Sequence, residues 1–139
     1  MGQNVQVSSI MASKIVKLSL TDSLANAEKL FKEFNIKHLP VVSGGKLVGI
    51  LSYTDLIRIS LAETGGDNDE IIDTTVYNMF SIEQVMIKNV VTVQAECTIK
   101  EAAEIIIAKG FRSLPVMEGD LLVGMLTSTD LIKYLIKQI

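Results

Sequence analysis

The sequence predicts a mixed α/β (α+β) fold, in which two β-α-β-β-α repeats pack as one pseudo-two-fold module. Three observations predict it. Shifted by 75 positions, the 139-residue chain matches itself without a gap: of 52 pairs between residues 10–61 and 85–136, fifteen are identical, twelve of them within 39–57. Short runs of β-branched residues alternate with stretches of helical apolar spacing. Hydrophobic residues make up 48% of the chain and charged residues 21%, enough apolar material for a buried core.

Each repeat reads in the same order. A helical turn around Ser9–Ala12 or Ile82–Met86 leads. A short strand follows, Ile15–Leu18 or Val90–Val93, rich in β-branched residues. A helix comes next. In the first repeat Thr21, Asp22 or Ser23 is placed to cap it, and in the second Thr98 with Glu101 spells a capping box. Leu24, Ala27, Phe31 and Phe34 form one apolar stripe. Ile99, Ala102 and Ile106 form the other, which Lys109 interrupts. A hairpin then pairs Leu39–Val42 with Leu47–Leu51, and Leu114–Met117 with Leu121–Leu126. Its glycines, Gly44, Gly45 and Gly119, supply the positive φ of a tight turn. A second helix closes each unit, about Thr54–Leu61 and Thr129–Lys137. The expected domains are therefore repeat 1 over 1–61 and repeat 2 over 81–139. Between them, 62–80 reads as an acidic, glycine-containing linker with a short helix or docking segment in Ile71–Phe80.

Composition narrows the function classes. Net charge is −3 and the pI about 5.1, which argues against nucleic acid as a partner, since phosphate neutralisation needs surplus Lys and Arg. One cysteine, Cys97, rules out an intramolecular disulfide. Residues Met1–Ser9 lack a basic and apolar leader, and apolar runs such as Leu121–Leu126 are too short for a bilayer. The expectation is a cytoplasmic protein with no membrane partner. A mean hydropathy of +0.38 in so short a chain points to a subunit interface as well as a core, hence a homodimer. The apolar helices Ile57–Leu61 and Leu131–Ile139 are the candidate contact surface.

The repeats resemble cystathionine β-synthase (CBS) domains, and the pair is similar to a stand-alone tandem CBS module. The resemblance rests on Ile10-Met11 and Val85-Met86, on the strand starts Leu39-Pro40-Val41 and Leu114-Pro115-Val116, and on two longer segments. These are Gly49-Ile50-Leu51-Ser52-Tyr53-Thr54-Asp55-Leu56-Ile57 and Gly124-Met125-Leu126-Thr127-Ser128-Thr129-Asp130-Leu131-Ile132. It implies an adenosine-nucleotide ligand (AMP, ADP, ATP or S-adenosylmethionine) in clefts between the repeats, read out as a change of conformation or assembly. No resident cofactor is expected.

The resemblance assigns Asp55 and Asp130 to ribose hydroxyls, a role suited to a carboxylate that only accepts. Ser52, Thr54, Thr127 and Thr129, at a helix start, suit a phosphate or ribose oxygen. The same residue types are also preferred N-caps, and a cap alone explains a Thr-Asp pair there. Lys37, His38 and Arg112 are implied cleft residues facing the opposite repeat's nucleotide, Arg112 as a bidentate phosphate ligand. A helix C-terminus favours such cations in any case. Ile15, Val16 and Ile36, with Val90, Val91 and Phe111, are the implied purine slots; apolar residues in such places also serve as core. Tyr53 stands where the second repeat has Ser128, so the two sites are not equivalent. Met11 and Met86 read as core filling.

No nucleophile elbow, P-loop, dinucleotide glycine pattern or metal-ligand cluster is present in the sequence. An enzyme is not expected. Two readings remain: a ligand sensor acting on an unidentified regulated protein, and an interaction module whose dimer surface is the functional part.

Overall fold

The computed structural model describes residues 5–64 and 74–139. The expected linker residues 65–73, with Gly65-Gly66 and most of the acidic positions, lie outside the described residues. So do Ile71–Asp73 of the expected docking segment, whose remainder forms a 3-10 helix, Thr74–Met79.

Two compact units emerge, one of Val16–Val90 and one of Met1–Ile15 with Val91–Ile139. In the first, strand β1 (Leu18–Ser19) pairs in parallel with β2 (His38–Ser43), which pairs antiparallel with β3 (Lys46–Ser52). Helix α1 (Leu24–Phe34) crosses from β1 to β2, helix α2 (Tyr53–Thr64) follows β3, and the single-turn α3 (Ile82–Val85) completes the unit. The second unit repeats this with β4 (Val93–Gln94), α4 (Ile99–Lys109), β5 (Ser113–Glu118), β6 (Leu121–Thr127) and α5 (Ser128–Gln138). The β-α-β-β-α order is thus observed twice. Both hairpins carry the same register shift, between Val41/Val42 and between Val116/Met117; each leaves one residue, Val48 or Val123, bulged out of the ladder.

Local chemistry explains the helix ends. Ser23, of the three candidates, caps α1: its Oγ accepts from Asn26 N–H at 3.0 Å. Asp22 is used elsewhere, taking Ser19 N–H at 2.8 Å. Thr98 and Glu101 form the expected reciprocal box at α4. Asn35 and Gly110 end the two helices in the left-handed region, with φ of 52° and 71°. The core of the first unit gathers Leu18, Leu24, Phe31, Leu39, Leu51 and Leu56; that of the second gathers Val93, Ile99, Ile106, Leu114, Val116 and Leu126.

Two expectations need correction, and the leading turns add a finding of their own. The first strands are shorter and later than Ile15–Leu18 and Val90–Val93, because only Leu18–Ser19 and Val93–Gln94 reach the parallel partner. Phe34 does not join the buried stripe: it is 49% exposed, at the position its repeat mate Lys109 fills, beyond the last helical turn that faces the core. The leading turns do not pack with the repeats they precede. Val7, in the 3-10 turn Val7–Ser9, is buried in the core of the unit that holds the second repeat. Ile82 and Met86 are buried in the core of the other. Backbone bridges fix both exchanges. Ala12 pairs with Met125, and Ile87 with Ile50, through N–H···O bonds of 2.8–3.0 Å. Gly124 and Gly49 permit this close approach. A Cβ on Gly124 would lie 3.0 Å from Ala12 O, and one on Gly49 2.9 Å from Ile87 O.

Candidate functional site

The last helix of each repeat starts against the residue that opens the hairpin. Tyr53 N–H donates to Lys37 O, and Ser128 N–H to Arg112 O, each at 2.9 Å. These bonds bring Lys37 and His38 beside Ser52–Asp55, and Arg112 beside Thr127–Asp130, so residues about 15 apart in sequence share one surface. Ser52, Asp55, Thr127 and Asp130 are half-buried there, and Thr54 and Thr129 are exposed.

Capping accounts for part of this arrangement. Ser52 Oγ accepts from Asp55 N–H at 3.0 Å. Thr127 Oγ1 accepts from Asp130 N–H at 3.1 Å, and Asp130 Oδ2 returns the bond from Thr127 N–H at 2.9 Å. Asp55 does not return it; its Oδ1 accepts from Arg58 Nη1 at 2.9 Å instead. In both repeats one carboxylate oxygen, Asp55 Oδ2 and Asp130 Oδ1, has no hydrogen bond among the described residues. Each site therefore keeps acceptor capacity that the cap does not consume.

The cations differ. Lys37 Nζ sits 4.9 Å from the Tyr53 ring centroid, a cation–π contact. Tyr53 in turn meets Phe31 edge-on, centroids 5.3 Å apart. With Lys32, Asn35 and Ile36 these residues line a recess of about 230 Å³, smaller than the roughly 300–1,000 Å³ of a complete small-molecule site. Arg112 is exposed and makes no ion pair among the described residues, and Ser128 places no ring beside it. His38 is exposed over the residue as a whole, yet partial desolvation of its ring lowers the imidazole pKa below the ordinary value, against the opposing pull of Asp55.

The implied purine residues are scattered in role. Val16 and Ile36 pack on one core and Val91 on the other, Ile15 and Val90 are half-buried, and Phe111 is exposed. Met86 fills the core of the first unit and Met11 packs on that of the second, in keeping with the core-filling reading of these matching positions. The sequence reading missed Arg58; an Asp followed three residues later by Arg on a helix is the signal that finds it. Among the described residues no His, Cys, Asp and Glu group could hold a metal ion, and no helix is long and apolar enough to cross a membrane.

Known proteins are similar to this chain in sequence and fold. A family model described as CBS domain matches residues 7–62 and 82–137. The Methanocaldococcus jannaschii protein MJ0188 is 32% identical over 94% of this chain and 44% of its own length. The chain spans less than half the length of the curated relatives it matches first. Among solved structures, a putative acetoin utilization protein, AcuB, from Vibrio cholerae superposes with a TM-score of 0.80 and 27% identity, covering 96% of this chain and 92% of that one. The CBS domain pair of protein MJ0100, in complex with 5-methylthioadenosine and S-adenosyl-L-methionine, superposes with a TM-score of 0.74 and 26% identity, covering 94% and 99%.

Proposed function

This chain belongs to the CBS domain family, and on that premise we propose that it is a regulatory module that binds an adenosine nucleotide or S-adenosylmethionine and carries no catalysis of its own. One observation carries the reading: each repeat presents a half-buried Asp with one carboxylate oxygen free among the described residues, beside a cation stitched in place by a backbone bond. That set matches a ribose diol and a phosphate or carboxylate tail. The adenosine-type ligands of the MJ0100 domain pair support the same ligand class. Asp130 and Asp55 are the ribose acceptors, Thr127, Thr129, Ser52 and Thr54 line the helix start, and Arg112 with Lys37 and His38 meets the anionic end. Ile15, Val16, Ile36, Val91 and Phe111 are the purine contacts.

The mechanism is linkage: a ligand that prefers one arrangement shifts the population toward it. The readout is a change of conformation or assembly in a cytoplasmic homodimer, passed to a regulated protein. A second reading has an observation of its own. Ile132, Leu135 and Ile136 on α5, with Ile139 beyond its end, are all exposed, which suits an interaction module whose helix face is the functional surface.

Thermal unfolding with millimolar AMP, ADP, ATP and S-adenosylmethionine separates the two. A ligand at 100 times its dissociation constant adds about 2.7 kcal/mol, a rise of several degrees. Asp130→Ala removes most of that rise. If none of the four moves the midpoint, the sensor reading fails and the interaction reading stands.

A further inference from the structure

The carboxylate of the first repeat is partly occupied by the chain itself. Asp55 Oδ1 accepts from Arg58 Nη1 at 2.9 Å, and Ser52 N–H makes no bond to Asp55. At the matching positions of the second repeat, Asp130 sits on its own cap through Thr127 N–H, and position 133 is Lys133, which makes no ion pair among the described residues. The same helix start, with the same Ser/Thr cap, thus shows two carboxylate positions. One is on the cap. The other is turned toward a cation one helical turn on.

We propose that Arg58 is an internal counter-ligand for Asp55: it draws the carboxylate off the cap position that Asp130 keeps and holds one oxygen with a charged donor, while each carboxylate retains one oxygen free among the described residues. A ribose then binds the first-repeat site by pulling the carboxylate back against the guanidinium, whereas Asp130, held by the backbone N–H of Thr127, already sits on its cap. This rests on the ribose reading above. The chemistry is a competition between donors. Guanidinium N–H and sugar O–H groups both seek carboxylate oxygens, and Asp55 offers two. The Arg58 side chain is 71% exposed and Asp55 24%, so solvent weakens the pair and limits its leverage to about two- to fivefold in affinity. The leverage shrinks further with salt. The device therefore staggers two similar sites along a ligand concentration range and does not abolish one of them.

The test uses the full chain carrying Asp130→Ala, so that one ribose site remains, with and without Arg58→Ala. Adenosine is the probe, because it has the diol without a phosphate that Arg58 would attract; 2′,3′-dideoxyadenosine is the control. The expected result is adenosine affinity about two- to fivefold tighter without Arg58 at low salt, with the dideoxy compound unchanged. Equal or weaker adenosine binding in the Arg58→Ala variant overturns the proposal. A ligand-free structure of Arg58→Ala gives a second readout: the Asp55 carboxylate should move to within hydrogen-bond distance of Ser52 N–H. An unmoved Asp55 also overturns it. Absence of adenosine binding in every variant, including the protein with Asp130 intact, refutes the ribose reading itself and the counter-ligand with it.

Discussion

Truncating Val7 should loosen the second repeat, and truncating Ile82 the first. Val7 is 0% exposed in a core built from Val93, Ile99, Leu114 and Leu126; Ile82 is 0% exposed in the core of Leu18, Leu39, Leu51 and Leu56. Val7→Ala removes two carbons at about 0.8 kcal/mol each, and the cavity left behind adds on the order of 1 kcal/mol. The expected loss is about 2.5 kcal/mol, a fall in Tm of roughly 8 °C for a chain of this size. Ile82→Ala removes one carbon more and should cost about 3–4 kcal/mol. Total stability alone does not distinguish a crossed arrangement from an uncrossed one; the location of the loss does. Amide hydrogen exchange followed by mass spectrometry supplies it. Val7→Ala should speed exchange first in Leu114–Val116 and Leu126, with Leu39–Val41 and Leu51 little changed, and Ile82→Ala should do the converse. If Val7→Ala deprotects the β2–β3 hairpin instead, or costs under about 0.5 kcal/mol, the exchanged packing of the leading turns is refuted.

Two further outcomes follow from single groups. His38 is the only histidine, so its ring resonances report directly. Its pKa should fall below the ordinary value of about 6.5, because burial disfavours the imidazolium, and Asp55→Asn should lower it further by removing the charge that opposes burial. The unfolded chain then takes up this proton more readily than the folded one, so His38 contributes a stability loss as pH falls below about 6.5 and none above it. An unchanged or raised pKa in Asp55→Asn would show that the two groups do not interact. Tyr77 is buried at 2% exposure, and its hydroxyl donates to Glu28 Oε2 at 2.5 Å. Burial and that bond push the phenol pKa up. Tyr77→Phe should cost about 1–2 kcal/mol in denaturant unfolding, and a cost below about 0.3 kcal/mol would mean that the bond does not anchor Thr74–Met79.

Much of the fold is legible in the residues because its signals are local. The match of Leu39-Pro40-Val41 with Leu114-Pro115-Val116, the caps at Ser23 and Thr98, and the stripes of Leu24, Ala27 and Phe31 each act within a few residues. The candidate site was legible to the same depth. Ser52-x-x-Asp55 and Thr127-x-x-Asp130 do stand at helix starts, and Lys37 and Arg112 do lie beside them. What each carboxylate does there was not legible, since a cap and a ligand contact ask for the same residue types. Phe34 shows the same limit: its helical spacing continues the stripe, but the helix leaves the core one turn too soon.

By itself, the sequence determined that there are two copies of one unit, the order in which their strands and helices come, and that position 53 differs from 128. Pattern and capping settle those matters without reference to distant residues. Only the tertiary structure decided which core each leading turn enters and which donor Asp55 faces. Val7 and Ile82 are equally apolar and fit either core by composition. Their partners are chosen by backbone bridges that close only where Gly124 and Gly49 leave room. The sequence offers the Asp55 carboxylate two donors, the cap N–H of the kind that Asp130 takes and Arg58, and only its side-chain conformation shows that it faces Arg58.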